Sequence, residues 1–276
     1  MTVRFGLVGT GYWAREVHAA GLRAHPEVEL VGVWGRESDY EARFAEVDAV
    51  AFAVPPAVQA QIAVRAARAG KHLLLEKPIA LELDAADRLV AAVEESGVSS
   101  LVFFTQRFVP VWEDWLNSVA ATRPVGGRAD WLSAQSGSDS PYAGSLWRRE
   151  HGALWDVGPH QVAQLITALG PVADIAGVRG EGDLVHLVLT HEGGATSRMS
   201  LSLTMPAGTT RIQVEFYGEG GWMLQPEHSR DVADAYARAV SELVANIGAG
   251  ETRHRCDVRF GREVVEVLTR AEESLA

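Results

Sequence analysis

The sequence predicts an α/β domain with a parallel sheet at the N-terminus, followed by an α+β domain with an open, mostly antiparallel sheet. Short apolar runs alternate with helical patterns in the first part of the chain, which is typical of a parallel sheet covered on both faces. After Gly126-Gly127 the strands alternate apolar and polar residues and are separated by glycine-rich turns. We therefore expect domains at 1–122 and 123–276, the final helices packing back on the first domain.

The elements follow from hydrophobic periodicity and from glycine and proline stops. In the first domain we predict strands at 3–8, 28–34, 49–54, 72–75 and 100–105, and helices at 12–24, 38–46, 57–69 and 83–96. In the second we predict strands at 128–134, 174–178, 184–189, 196–203 and 211–217. Helices at 232–247 and 258–275 close the chain.

Composition narrows the class of protein. The chain has 276 residues, 47 % hydrophobic and 22 % charged, as an ordinary globular protein does. A formal charge of −11 disfavours nucleic acid and anionic membranes as partners. Cys256 is the single cysteine, no apolar run reaches membrane-spanning length, and the N-terminus enters a strand pattern directly. We expect a soluble cytoplasmic protein.

The turn after the first strand carries a dinucleotide-binding motif. Gly9-Thr10-Gly11-Tyr12-Trp13-Ala14 fits G-x-G-x-x-G/A between a strand and a helix. The first glycine makes the tight turn, the second lets a pyrophosphate approach the backbone, and the small Ala14 permits close helix–sheet packing. The phosphates would bind the N–H groups of the helix N-terminus. The first domain is therefore predicted to have a Rossmann fold.

Arg36, just after the second strand, bears on the choice of cofactor. An acidic residue at this place binds the ribose 2′-hydroxyl of NAD, whereas an arginine suits the 2′-phosphate of NADP. Arg36 therefore favours NADP(H) over NAD(H). The alternative is that Arg36 is a surface residue and Glu37 binds the ribose.

Lys77 is the first candidate catalytic residue. The chain has 25 basic residues, and only Lys71 and Lys77 among them are lysines. Lys77 follows the apolar run 73–75 within Glu76-Lys77-Pro78. A lysine ammonium is a compact charge that suits a reacting oxygen, and arginine does not replace it. The alternative is a solvated lysine in a turn.

Asp156 and His160 form a second candidate pair. They are four residues apart, so on one helix they would share a face, provided that Pro159 lies in the first helical turn. A histidine can accept and return a hydroxyl proton, and a nearby carboxylate can orient it or hold a substrate hydroxyl. The alternative is an Asp N-cap followed by an ordinary histidine at a helix start. The other histidines show no metal-ligand spacing, and no metal is assigned.

Together these segments resemble the glucose–fructose oxidoreductase / inositol dehydrogenase / MocA (Gfo/Idh/MocA) family of NAD(P)-dependent oxidoreductases. The resemblance covers nearly the whole chain, through residues 9–14, 70–78, 106–108, 147–148, 152–160 and 257–261. It implies hydride transfer between nicotinamide and a secondary alcohol or ketone of a sugar, polyol or related molecule. His160 would be the general base, Lys77 would bind the reacting oxygen, and Asp156 would orient substrate or His160.

The remaining site residues are assigned with this resemblance in view. For the cofactor they are Gly9, Thr10, Gly11, Tyr12, Trp13, Arg36, Pro55, Glu76 and Lys77, and for the substrate Arg107, Trp147, Arg148 and Trp155. An aromatic face with a cation suits a sugar or polyol. By analogy with the family, the exposed face of the open sheet pairs subunits, so we expect a homodimer or homotetramer.

The chain also departs from the family. Only ten residues separate Arg36 from Val47, where the family has a fuller helix and a short strand, and Ala163 stands where many relatives carry a further Asp. A catalytically silent regulator that binds NADP(H) or a sugar is therefore the alternative function, although it would not need the three proton-handling residues. A scaffold that binds no nicotinamide is a third interpretation.

Overall fold

A computed structural model of the protein describes residues 2–134, 145–206, 208–228 and 231–275. Its Cα positions divide into two compact units. The first comprises Met1–Val109 and Arg230–Val265, and the second comprises Pro110–Ser229 and Glu266–Ala276. Residues 230–265 thus group with the first unit. The bounds 1–122 and 123–276 stay a prediction about folding domains.

The described residues form eleven strands and nine α-helices. The strands are β1 Val3–Val8, β2 Val28–Trp34, β3 Ala49–Phe52, β4 His72–Leu75, β5 Ser100–Val102, β6 Gly126–Leu132, β7 Val172–Arg179, β8 Val185–His191, β9 Thr196–Ser202, β10 Arg211–Gly218 and β11 Gly221–Leu224. The helices are α1 Ala20–Ala24, α2 Tyr40–Phe44, α3 Pro56–Arg68, α4 Leu83–Ser96, α5 Pro110–Ala121, α6 Leu146–Asp156, α7 Gly158–Leu169, α8 Val232–Ala249 and α9 Val258–Ser274. A π-helical segment, Ala14–Ala19, precedes α1, and a 3₁₀ turn, Thr105–Phe108, follows β5.

The first unit contains a five-stranded parallel sheet in the order β2-β1-β3-β4-β5. Strands β3 and β5 are buried along their whole length, as strands with helices on both faces must be. From β1 the chain first turns to β2 on one side and then to β3 on the other. Ligands of such sheets bind at this switch point, outside the carboxyl ends of the strands. Gly9 and Ala53 follow β1 and β3 there.

The second unit contains a six-stranded sheet in the order β11-β10-β6-β9-β8-β7. The β6–β9 pair is parallel and the other four pairs are antiparallel, which confirms an open, mostly antiparallel sheet. Strand β8 alternates strictly between buried and exposed residues. Its buried face lies on the side of α6 and α7, which contact β9. Large apolar side chains remain exposed on the other face, at Val178, Val188, Trp222 and Leu224.

Four elements lie outside the predicted set: α5, α6, α7 and β11. Helix α5 begins at Pro110, whose fixed φ suits a first helical turn, and buries Trp112, Leu116 and Val119 on one face. Strand β11 pairs with β10 across a tight turn in which Gly221 has φ 89°. Among the described residues, no helix combines the length and apolarity needed to cross a membrane.

Candidate functional site

The glycine turn after β1 requires a glycine at its first position. Gly9 has φ 137°, and its N–H donates to the carbonyl of Trp34 at 2.9 Å. A Cβ at Gly9 would lie 2.4 Å from the carbonyl oxygen of Ala53. No other residue fits this conformation and this approach of β1 to the end of β3.

Gly11, in contrast to Gly9, has open space around it. A Cβ at Gly11 would meet no atom within 4 Å, and Thr10 and Tyr12 beside it are exposed. Ala14, where the helix begins, is fully buried. The turn therefore leaves open backbone in front of a helix N-terminus, which suits the pyrophosphate of a dinucleotide. Gly9, Thr10, Gly11 and Tyr12 stand where they would hold it.

The turn after β2 lies beside this loop. A Cβ at Gly35 would lie 3.6 Å from the Thr10 methyl group. The Gly35 N–H donates to Ser38 Oγ at 3.2 Å, and the Tyr40 hydroxyl donates to the Gly35 carbonyl at 2.9 Å. Arg36 and Glu37 are both exposed on this braced turn. Two of the predicted cofactor-binding segments are thus neighbours at the carboxyl end of the sheet.

The turn after β4 carries Lys77. The Lys77–Pro78 peptide bond is cis, and Lys77 is half-buried. The Glu76 carboxylate, predicted to face the cofactor, accepts from Trp13 Nε1 at 2.7 Å. Trp13 therefore connects the glycine turn to Glu76. Pro55, also a predicted cofactor residue, is exposed and directly precedes α3.

Asp156 and His160 do not lie on one continuous helix. Asp156 ends α6, His160 lies in the first turn of α7, and Val157 between them has φ −109° and ψ −21°. Pro159 lies in the first turn of α7, as its missing N–H requires. Gly158 packs closely, since a Cβ there would lie 3.1 Å from Leu268. Pro159 cannot donate to the Trp155 carbonyl, and its ring would clash with that carbonyl in a continuous helix, so the shared helical face expected for the pair is wrong.

Helix α6 carries four of the predicted residues, Trp147, Arg148, Trp155 and Asp156. Asp156 accepts from Arg148 Nε at 3.0 Å, and the Arg148 guanidinium lies 4.8 Å from the centre of the Trp147 ring. His160 is buried and stacks on Trp131 with the ring centres 5.6 Å apart. The Asp156 carboxylate is thus partly neutralised by Arg148.

Two predicted substrate residues are deeply buried. Trp155 is 1 % exposed and Arg107 is 3 % exposed, with the Arg107 guanidinium over the Phe260 ring. Their assignment to the substrate stays a prediction, as do the roles of Lys77, Asp156 and His160.

Three residues around the Lys77 turn were not singled out from the sequence: His18, Gln59 and Tyr236. All three are fully buried. His18 and Gln59 are polar residues at buried positions of helical segments, which is a signal the sequence contains. Tyr236 carries no comparable local signal, because it lies 218 residues from its partner His18.

Comparison with known proteins bears on both units. A model described as an oxidoreductase family with an NAD-binding Rossmann fold matches residues 37–104, and one for the GFO/IDH/MocA C-terminal domain matches residues 124–224. The chain belongs to the Gfo/Idh/MocA family of oxidoreductases. Its predicted family, fold class and oxidoreductase class are confirmed.

Relatives of this Gfo/Idh/MocA chain include two inositol dehydrogenases. Inositol 2-dehydrogenase of Rhizobium meliloti is 26 % identical, with 86 % of this chain and 81 % of that protein covered. An NADP⁺-dependent scyllo-inositol 2-dehydrogenase of Bacillus subtilis is 22 % identical over 79 % of this chain and 74 % of its own. The structure of the WlbA dehydrogenase of Bordetella pertussis, in complex with NADH and UDP-GlcNAcA, has a TM-score of 0.82 at 21 % identity, over 99 % and 96 % of the two chains.

Proposed function

We propose that this oxidoreductase transfers hydride between NADP(H) and a secondary alcohol or ketone of a sugar, polyol or related small molecule. The observation that carries the proposal is the turn after β1, closed at Gly9 and open at Gly11. Such a turn before a helix suits a dinucleotide pyrophosphate. The nicotinamide, when bound, supplies the carbon that gives or accepts the hydride.

The residues of this chain handle the proton and the charge. His160 takes the hydroxyl proton during oxidation and returns it during reduction. The Lys77 ammonium hydrogen-bonds the reacting oxygen and stabilises its developing negative charge. Asp156, held by Arg148, orients the substrate. Trp147 and Arg148 offer an aromatic face with a cation, which suits the C–H and hydroxyl faces of a sugar. The names of the two inositol dehydrogenases and of the UDP-sugar complex support this substrate class.

Arg36 supports NADP(H) over NAD(H) within this proposal. It is exposed on the turn beside Thr10, where a ribose 2′-phosphate would lie, and a guanidinium binds a phosphate through charge-assisted hydrogen bonds. The exposed face of the six-stranded sheet supports a homodimer or homotetramer. The single cysteine, which cannot form an internal disulfide, supports a location in the reducing cytoplasm.

Cofactor binding is the first test. Titrating NADPH and NADH against tryptophan fluorescence uses Trp13 as a reporter next to the glycine turn. We expect NADPH to bind more tightly, and Arg36→Ala to weaken NADPH by about 10-fold or more with little effect on NADH. Arg23→Ala, an exposed arginine elsewhere in the same unit, is the control. Tighter NADH would remove the role of Arg36 but keep the oxidoreductase, whereas no binding of either would remove the whole proposal.

Turnover tests the catalytic roles. With sugars and polyols screened against NADP(H), we expect Lys77→Ala and His160→Ala to fold and bind cofactor but to react about 10²–10⁴-fold more slowly. Lys71→Ala and His186→Ala are matched controls: Lys71 Nζ donates to the Val47 carbonyl, and His186 lies exposed on β8. Full activity in either test variant would contradict its assignment. Cofactor binding by the wild type without turnover of any substrate would favour the silent regulator.

A further inference from the structure

One carboxylate connects the glycine turn to the turn that carries Lys77. Glu76 Oε1 accepts from Trp13 Nε1 at 2.7 Å and contacts His18 Nε2 at 2.9 Å, while Glu76 Oε2 accepts from the Lys77 N–H at 3.3 Å. Its side chain is 13 % exposed, and that of His18 is 0 % exposed. A carboxylate this enclosed needs its donors, because a buried charge without partners is costly. The position of Glu76 therefore depends on Trp13 and His18.

The Tyr236 hydroxyl contacts the ring nitrogen of His18 that does not face Glu76. It lies 3.0 Å from His18 Nδ1, and the two rings are 4.6 Å apart. Burial, and then the charge of Glu76, hold the pKa of Tyr236 well above its usual range, so the phenol keeps its proton. A carboxylate only accepts, so His18 Nε2 donates to Glu76 Oε1, and His18 Nδ1 faces the Tyr236 hydroxyl.

Gln59 holds the backbone on both sides of Lys77. Its side-chain oxygen accepts from the Glu76 N–H at 2.8 Å. Its Nε2 donates to the Glu76 carbonyl at 2.7 Å and lies 3.3 Å from the Pro78 carbonyl. The backbone of the turn is thus anchored by α3, whereas its carboxylate is anchored by the π-helical segment and by α8 through Tyr236. Lys77 stands between these two anchors.

We propose that His18 and Tyr236 are positioning residues for Lys77, acting through Glu76. The chain Tyr236–His18–Glu76 holds the turn in one place, and Trp13 makes the glycine turn part of the same network. Lys77 is thereby held where it meets the reacting oxygen. This role in the reaction rests on the proposed function, whereas the structural connection from Tyr236 to Lys77 does not. Glu76 accordingly serves the site by positioning Lys77.

The scarcity of lysine makes the coupling directly measurable. Protein grown with lysine labelled with ¹³C at the ε carbon gives two lysine signals, one from Lys71 and one from Lys77, assigned with Lys71→Arg and Lys77→Arg. We expect Tyr236→Phe and His18→Leu to shift or broaden the Lys77 signal and to leave the Lys71 signal unmoved. His18→Gln, whose amide can still reach Glu76, should restore part of the wild-type position.

The control is a second buried histidine, His25, which caps the C-terminus of α1. His25 Nε2 contacts Ser241 Oγ of α8 at 2.8 Å, so His25→Leu removes a similar contact that does not lead to Glu76. It should move neither lysine signal. An unmoved Lys77 signal in folded Tyr236→Phe would overturn the proposal. Because Tyr236→Phe keeps the buried ring, it tests the proposal even if His18→Leu fails to fold.

A kinetic measurement separates this proposal from the proposed function. With a substrate in hand, Tyr236→Phe should lower kcat by about 10-fold or more and change the KM for cofactor little, because a small misplacement of a catalytic group is costly. Unchanged kcat would overturn positioning. If the protein binds no nicotinamide, the proposed function fails, yet the two lysine signals still decide whether the network holds Lys77.

Discussion

At the scale of single residues, the two glycines of the β1 turn perform different tasks. Gly9 is required by its neighbours, because its φ of 137° and the Ala53 carbonyl leave no place for a side chain. Gly11 has open space around it and is required only by what would bind there. A motif match cannot tell these two reasons apart, since both positions show the same letter.

Alanine at each position should separate folding from binding. Gly9→Ala should destabilise the first unit by about 1–3 kcal/mol or more, because strained backbone and a close contact combine. Gly11→Ala should unfold like the wild type in thermal melts but bind NADPH more weakly, because its methyl group fills the space before the helix. A stable Gly9→Ala protein, or a Gly11→Ala protein with wild-type affinity, would contradict this division.

Candidate site residues could be proposed from the sequence where a contiguous motif contains them. Arg36 and Lys77 stand out because each has a fixed place after a strand, and the structure braces both of their turns. His18, Gln59 and Tyr236 did not stand out. Their meaning depends on Glu76, which lies 58 residues from His18 and 17 from Gln59 in sequence.

At the scale of elements, helix α8 is tied to the segment before α9. Glu242 contacts His254 Nε2 at 2.9 Å and is paired with Arg255, whose Nη2 donates to the Arg107 carbonyl at 3.1 Å. Burial alone would raise the pKa of Glu242, but hydrogen bonds from His254 and Arg255 outweigh it and lower the pKa to about 2. The cluster therefore favours the charged carboxylate strongly.

This cluster predicts a defined dependence of stability on pH. The folded pKa of Glu242 lies below its ordinary value of 4.5, so its contribution is fully present above that pH and is lost as pH falls from 4.5 towards about 2. Urea unfolding should show Glu242→Gln less stable than the wild type by about 1–3 kcal/mol at pH 7. That gap should shrink below pH 4.5.

The control is an exposed pair at the C-terminal end of α2. Glu46, 3.1 Å from Arg43, is solvent-exposed, and Glu46→Gln should change stability by less than about 1 kcal/mol at any pH. A gap for Glu242→Gln that stays constant down to pH 3 would show that this carboxylate is not the titrating group.

Elements were predictable from periodicity, but their breaks were not. Strand β2 and helix α4 have the predicted bounds, since alternation and helical spacing are local patterns. The break between α6 and α7 goes with Pro159 in the first turn of α7, and periodicity does not reveal it. A further kink lies within α6 at Gly152, with φ 60° and ψ −159°, a conformation available mainly to glycine.

At the scale of the whole molecule, the exposed sheet face sets an expectation about assembly. Val178 and Val188 are 60 % and 55 % exposed, and they lie on neighbouring strands of the second unit. Exposed apolar patches of this kind on a sheet mark interaction surfaces. The residues at the other end of the face, Trp222 and Leu224, are likewise exposed.

Placing a charge on this face should dissociate the proposed oligomer. In sedimentation velocity we expect the wild type to be a dimer or tetramer and Val188→Glu to be smaller, with an unchanged circular dichroism spectrum because the side chain is exposed on the folded subunit. Val58→Glu, at a 42 % exposed valine on α3, is the control and should leave the assembly intact. A monomeric wild type, or a Val188→Glu oligomer, would remove the sheet face as the interface.

Most of the elements, the parallel and the mostly antiparallel sheet, the glycine turn and the family were predictable from the amino-acid sequence. These follow from side-chain periods, turn residues and contiguous motifs, which act over a few residues. The structure was needed to show which residues of the C-terminal part, 230–265, group with the first unit and that Tyr236 reaches His18. It also separated Asp156 from His160 at a helix break. Such contacts depend on how buried surfaces fit together across long sequence distances, and no local pattern encodes that fit.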